Sequence, residues 1–217
     1  MNNTVNLTID GKSVTVEVGT TILEAAEAIN VRIPTLCHLH LEDLHMVNEV
    51  ASCRVCVVEV EGRRTLMPSC ATPVAEGMEV KTNSKRVLAA RRMVLELLLS
   101  DHPSDCLICP KSTNCELQTL AYDFAIDRKR FEGQTHTHLE DTSSKALLRD
   151  PDKCIMCRRC ETMCREVQTV GVLTANGRGF NAIVGPAEMK PLVDTNCTYC
   201  GQCVTVCPTG ALTGVSY

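Results

Sequence analysis

Cys154–Cys164 reads CIMCRRCETMC, and Cys197–Pro208 reads CTYCGQCVTVCP. Each run holds cysteines separated by two, two and three residues. A run repeated within one chain implies two metal sites built as a pseudo-symmetric pair. At this spacing three close thiolates wrap one face of a [4Fe–4S] cubane, and the fourth reaches across to the other cubane. The expected sets are therefore Cys154, Cys157, Cys160 and Cys207, and Cys197, Cys200, Cys203 and Cys164. Cys207 is followed by Pro208, whereas Cys164 is followed by Arg165, a departure at the turn that removes no ligand. Zinc commonly takes its four ligands as two separated pairs, which duplicated runs of four do not resemble.

Working back toward the amino terminus, SDHPSDCLICPKSTNC at Ser100–Cys115 contains three cysteines, Cys106, Cys109 and Cys115. The chain has 15 cysteines, an odd number. Four sites of four ligands need sixteen donors, and a histidine completes the count. His102 stands four residues before the Cys-x-x-Cys pair at the exit of an expected helix, whereas His136 and His138 lie in a polar connector far from it. The third expected set is His102, Cys106, Cys109 and Cys115. A neutral imidazole in place of a thiolate makes the site less negative and raises its potential, as in Rieske centres.

The fourth set is Cys37, Cys53, Cys56 and Cys70, a lone cysteine, a close pair and a distant partner. A four-cysteine zinc site satisfies the same spacing. The elements before it favour a [2Fe–2S] site. VNLTI at Val5–Ile9 alternates as a half-buried strand, Asp10–Gly11 is a hairpin turn signal, and SVTVEV returns. TTILEAAEAIN then sets Ile22, Leu23, Ala26 and Ile29 on one helical face, with Thr20 or Thr21 as cap. Later strands are expected in VCVVEVEG and MEVKT. His38, His40 and His45 near this site read as solvent-facing or as supporting groups behind the ligands.

A further helix is expected from Ser84 to about Ser100, with Val87, Leu88, Arg91, Val94, Leu95 and Leu98 along its stripe and the Arg91 stem at its edge. An amphipathic segment, CELQTLAYDFAID, follows, and a polar connector runs from Lys129 to Ser144.

Composition excludes several classes. Net charge is −4, which gives no reason to expect nucleic acid, and no apolar run approaches the length of a membrane span. The amino terminus lacks the pattern of a secretory leader, so the thiols indicate a reducing, cytoplasmic setting. Aromatic residues make up 3% of the chain, so its core must rest on aliphatic packing and bound metal. Gly177, Gly179 and Gly185 do not form a dinucleotide fingerprint, and the stretch around them reads as the crossover between the cysteine runs. Arg158, Arg159 and Arg165 read either as a docking face for acidic partners or as a solvated basic face.

The order of these sets, with PTLCHL, ASCRVCVVEVEG, LLLSDHPSDCLICPKSTNCELQ, DKCIMCRRC and CGQCVTVCPTGAL, resembles a known family. It is the amino-terminal cluster region shared by [FeFe]-hydrogenases, the large iron–sulfur subunit of complex I and the small diaphorase subunit of NAD-reducing [NiFe]-hydrogenases. The electron-bifurcating hydrogenase branch is the most similar, although the interval from Cys37 to Cys53 is longer than is usual in the family. The resemblance implies an α+β chain in three parts. These are a β-grasp, plant-type ferredoxin domain over 1–83, a helical His-Cys-Cys-Cys cluster segment with connector over 84–144, and a two-cluster bacterial ferredoxin-like domain over 145–217.

The implied function is an electron relay in an NAD(P)-linked hydrogenase complex, carrying one [2Fe–2S] and three [4Fe–4S] clusters and no substrate-converting site. Expected partners are a flavin- and NAD(P)-binding diaphorase-type subunit and a separate hydrogen-activating subunit, with ferredoxin as a third. The same module in a formate dehydrogenase or transhydrogenase complex, or a stand-alone polyferredoxin, remains open at this point.

Overall fold

The computed structural model describes residues 4–41, 44, 46, 48 and 50–215. The chain divides into two compact units, Met1–Thr35 with Cys53–Leu95, and Leu36–Ser52 with Glu96–Tyr217.

In the first unit, β1 (Thr4–Ile9) and β2 (Lys12–Glu17) form the expected antiparallel hairpin, Ile9 facing Lys12 across the Asp10–Gly11 turn. Both turn residues have positive φ, 48° and 79°, as a tight two-residue hairpin demands. Val5, Leu7 and Ile9 are buried, in step with the two-residue period of a strand. Helix α1 (Ile22–Ala28) begins at a capping box, in which the Thr21 side chain accepts from the Glu24 N–H and the Glu24 carboxylate accepts from the Thr21 N–H. It buries Ile22, Leu23, Ala25 and Ala26. Ile29, expected on that face, is instead the carboxy-terminal cap and only half-buried.

Strands β3 (Val57–Val60), β4 (Met67–Pro68) and β5 (Met78–Lys81) complete a five-stranded sheet in the order β2-β1-β5-β3-β4. The β1–β5 pair is parallel and the other pairs are antiparallel. The short β4 escaped the sequence reading because two residues carry no periodicity.

Helix α2 (Lys85–Asp101) follows Ser84, whose hydroxyl accepts from the Val87 N–H at 3.3 Å. Val87, Arg91 and Leu95 are buried, but Leu88 is exposed. Arg91 is more than a stem at an edge. Only 2% of it is accessible, and its Nε and Nη2 both donate to the Val57 carbonyl, at 3.2 and 2.9 Å.

The second unit has little regular structure. Helix α3 (Glu116–Asp123) buries Leu117 and Leu120. Strand β6 (Leu147–Arg149) pairs antiparallel with β9 (Leu212–Gly214). Between them lie α4 (Arg159–Thr162), running into a π-helical turn at Met163–Val167, a hairpin of β7 (Thr174–Asn176) and β8 (Ile183–Gly185), and α5 (Gln202–Val206). The glycine-rich stretch read as a crossover is the turn of this hairpin. A Cβ on Gly177 would meet the Asn181 carbonyl oxygen at 2.6 Å, at φ +70°. The core gathers Leu147, Leu173, Val184, Leu192 and Leu212 around Cys160 and Cys207.

The polar connector is pinned along its length. His136 N–H donates to Asp101 Oδ1 at 2.8 Å, and its ring bonds Asp101 Oδ2 and the Phe180 carbonyl. His138 bonds Asp152 through both its backbone N–H and Nδ1, at 2.8 Å each. Asp141 bridges to the backbone of Arg149 and accepts from the Leu192 N–H.

Candidate metal centres

In the first unit, Cys56 closes the loop before β3 and Cys70 lies in the 3-10 turn Ser69–Ala71 after β4. A hydrogen bond from Ser69 N–H to the Cys56 carbonyl, 3.2 Å, holds the two segments together, and the sulfurs are 3.3 Å apart. Arg54, between Cys53 and Cys56, is left-handed at φ 60°, curling the pair's loop. All three cysteines are buried. The Arg91 guanidinium acts on Cys56 through space, and burial lowers its pKa to about 10. In the second unit Cys37 is 1% exposed and His38 is also buried, edge-on to His40 with ring centroids 5.1 Å apart. His45 lies outside the described residues.

His102 follows the last residue of α2 and is 9% exposed, its Nδ1 buried without a hydrogen-bond partner. Burial, aided by Lys129 and Lys153, lowers its pKa, so the ring is neutral, the form that coordinates metal. His102, Cys106 and Cys115 line one cavity together with Gln118 and Lys129. Cys109 is not on that wall, and its sulfur lies against Gly210. Leu107 and Ile108, between Cys106 and Cys109, are 99% and 83% exposed.

The duplicated runs fold alike. Met156 and Tyr199 take φ 54° at equivalent positions, and Arg158 and Gly201 take 64° and 76°. These left-handed residues turn the chain around a centre. The Met156 N–H donates to Cys154 Sγ at 3.4 Å, and the Tyr199 N–H favours the thiolate of Cys197 in the same way. Cys154, Cys157, Cys160 and Cys207 line one cavity. Cys164, Cys197, Cys200 and Cys203 line another of similar size. Each cavity thus draws three cysteines from one run and the fourth from the other.

Burial raises the thiol pKa of Cys154, Cys157 and Cys160, and pushes Cys203 up to about 12. Thiols so placed become thiolates when a cation compensates them, which is what iron supplies in a cluster. The donor chemistry of these cavities therefore fits iron–sulfur ligation. Among the described residues, no group of three or more His, Cys, Asp or Glu is gathered as tightly as a single bound ion requires.

The three arginines do not form a free basic face. Arg158 grips Glu161 with two bonds of 2.7 and 3.1 Å, Arg159 is buried and bonds Glu116 at 2.6 Å, and Arg165 pairs with Glu166 at 2.7 Å. Sequence reasoning passed over Arg149 and Gly210, and took Gly185 only as part of the crossover between the cysteine runs. Arg149 carries a weak signal, as one of two cations, with Lys145, that flank the apolar ALL at 146–148 just ahead of the cysteine run. Neither glycine carries such a signal.

Three family models match in succession. They are a 2Fe-2S iron-sulfur cluster binding domain over residues 2–85, an NADH-ubiquinone oxidoreductase-G iron-sulfur binding region over 91–130, and a 4Fe-4S dicluster domain over 153–211. The first takes in Cys37, Cys53, Cys56 and Cys70. The NADP-reducing hydrogenase subunit HndD of Solidesulfovibrio fructosivorans is 62% identical over 97% of this chain and 36% of its own length. A subunit of the NADH-quinone oxidoreductase of Rhizobium meliloti is 38% identical over 98% of this chain and 24% of its own length. The chain thus spans about a third or less of these curated relatives. A chain in the crystal structure of an NAD+-reducing [NiFe]-hydrogenase in the H2-reduced state superposes with TM-score 0.87 at 32% identity, covering 98% of this chain and 88% of that one.

Proposed function

Because the chain belongs to the family of iron–sulfur electron-transfer subunits represented in the NAD+-reducing [NiFe]-hydrogenase, we propose that it relays electrons within an NAD(P)-linked hydrogenase complex. It is an iron–sulfur chain of the oxidoreductases, with 2Fe-2S and 4Fe-4S domains of ferredoxin type. Electrons would pass one at a time between a flavin- and NAD(P)-binding partner and a hydrogen-activating centre outside residues 1–217, with ferredoxin as a third exchange partner. The 62% identity to a subunit named for an NADP-reducing hydrogenase supports that setting. A reducing compartment, the cytoplasm, suits a chain rich in free thiols.

The finer reading is one [2Fe–2S] cluster on Cys37, Cys53, Cys56 and Cys70, in a domain of β-grasp, plant-type design over 1–83. One [4Fe–4S] cluster would take His102, Cys106, Cys109 and Cys115 in the segment 84–144. Two more would take the crossed sets of the last domain, 145–217. The observation that supports this most is the pair of cavities lined by four cysteines each, drawn from both runs. Bound clusters supply one-electron redox centres. The chain's part is to hold them, bury them, and turn backbone N–H groups toward their sulfurs, which tunes potential.

Anaerobic iron, sulfide and zinc analysis tests the reading. One [2Fe–2S] and three [4Fe–4S] sites give 2 + 3 × 4, about 14 iron atoms per chain. Stoichiometric zinc, or iron well short of that figure after full reconstitution, overturns it.

A further inference from the structure

The two cavities of the cysteine-rich pair are alike in size but not in charge. The described residues lining the Cys164 cavity carry no charged side chain, its wall being Leu147, Val172, Leu192, Gln168 and their neighbours. The Cys154 cavity takes Arg149 and Arg158 into its wall. The two differ in exposure as well. Cys157, Cys160 and Cys207 are buried, whereas Cys200 in the other set is exposed.

Arg158 brings little net charge, because Glu161, itself 3% exposed, accepts both of its bonds. Arg149 differs. It ends β6, is 5% exposed, and its Nη2 donates to the Val184 carbonyl at 3.1 Å and lies 3.5 Å from the Met189 sulfur, both neutral partners. The carboxylate that acts on it through space is Asp141, whose oxygens accept from the Ser143 and Leu192 N–H groups. Cys154 and Cys160 also act on it through space. Its seat is built for it. A Cβ on Gly185 would stand 2.5 Å from Nη2 and 2.9 Å from Cζ, so glycine is what leaves room for the guanidinium.

Resting on the cluster reading above, we infer that Arg149 is the potential-setting residue of the Cys154–Cys207 site. Reduction adds one electron and one negative charge there, with no bond made or broken and no proton moved. Burial of the thiolates disfavours that added charge and pushes the site to lower potential. A fixed cation in the same wall acts the opposite way and is weakly screened in a dry interior. Arg149 offsets the burial, keeping the buried site within reach of its more exposed neighbour, whose wall needs no such charge.

The test is a redox titration of the full chain with dithionite and mediators, followed by electron paramagnetic resonance, with the Cys154-site signal identified as the one that Cys157→Ser alters. Arg149→Met should lower the reduced-to-oxidised ratio of that signal about tenfold at fixed ambient potential, equal to 59 mV for a one-electron couple, and leave the other signals in place. Arg149→Lys should keep most of the potential. Gly185→Ala, which displaces the guanidinium, should shift it in the direction of Arg149→Met. Arg149→Gln, which can still donate to the Val184 carbonyl, replaces Arg149→Met if that variant does not load iron. An unmoved or raised potential at full iron and sulfide content overturns the inference, as does loss of iron from every Arg149 variant including the lysine. A deficit of iron in the unmodified chain indicts the cluster reading itself.

Discussion

Gly210 and Cys109 touch where no side chain could fit: a Cβ on Gly210 would stand 2.8 Å from Cys109 Sγ. Close by, the Glu116 N–H donates to the Pro208 carbonyl at 2.9 Å. The loop carrying Cys109 is thus seated directly on the segment that follows Cys207. Gly210→Ala should force that seat open and weaken the His102 site before any other. Iron analysis should find up to one [4Fe–4S] complement missing, about four atoms per chain. Full retention of all cluster signals would show that the seat yields without consequence.

His102→Ala should remove or transform one [4Fe–4S] signal, and His136→Ala and His138→Ala should leave every signal intact. His102→Cys should retain the cluster at lower potential, since a thiolate restores the negative charge that imidazole omits. A spectrum indifferent to the loss of His102 would strike it from the ligands.

Cys207→Ser should perturb the cluster held by Cys154, Cys157 and Cys160, although the positions lie far apart in sequence, because all four line one cavity. A structure of the loaded protein with Cys207 bound beside Cys197, Cys200 and Cys203 would refute the crossing.

Arg91→Met should destabilise the first unit by about 1–3 kcal/mol, the cost of leaving a buried carbonyl without its donors. The carbonyl is that of Val57, which receives both Arg91 bonds. Hydrogen exchange at the amides of Val57–Val60 reads this locally, and unchanged protection there would remove Arg91 from the account of stability.

His136 should stabilise the second unit mainly in acid. Burial opposes its charge, but Asp101, the Phe180 carbonyl and Asp152 outweigh it, so the folded pKa is raised above the unfolded value. A raised pKa contributes stability that is fully present below about 6.5 and fades as pH climbs through the folded value. The deficit of His136→Gln against the parent should therefore be largest near pH 6 and shrink toward pH 8. A pH-independent deficit would mean that stacking on Phe180, with centroids 4.0 Å apart, is the larger contribution.

What could be read from the sequence followed the strength of its periodicities. The Val5–Ile9 alternation, the Asp10–Gly11 turn and the Thr21 cap are local rules, and the structure obeys them. On α2 the local rule gave way. Leu88, placed on the stripe, is 42% exposed, while Glu96, which interrupts the apolar run, is 3% exposed and paired with Arg130. A long-range ion partner decides that burial, and no pattern within the helix announces it. The cysteine runs told which thiols belong to one domain, because their spacing is itself the constraint. The second unit's glycine seats and the buried Arg149 depend on which surfaces meet, and that is invisible to spacing.

Apart from the eight-residue α3, the carboxy-terminal part of the second unit is built from three-residue ladders and helical turns of four and five residues, with cysteines in its core. Isolated elements that short are not stable in water. A newly synthesised copy therefore has little to hold residues 96–217 together before iron arrives, since metal binding is itself a source of folding free energy. Cofactor loading becomes a quality-control step. Copies that miss it should stay open to proteases, so the amount of this protein in a cell should follow iron–sulfur assembly as well as translation.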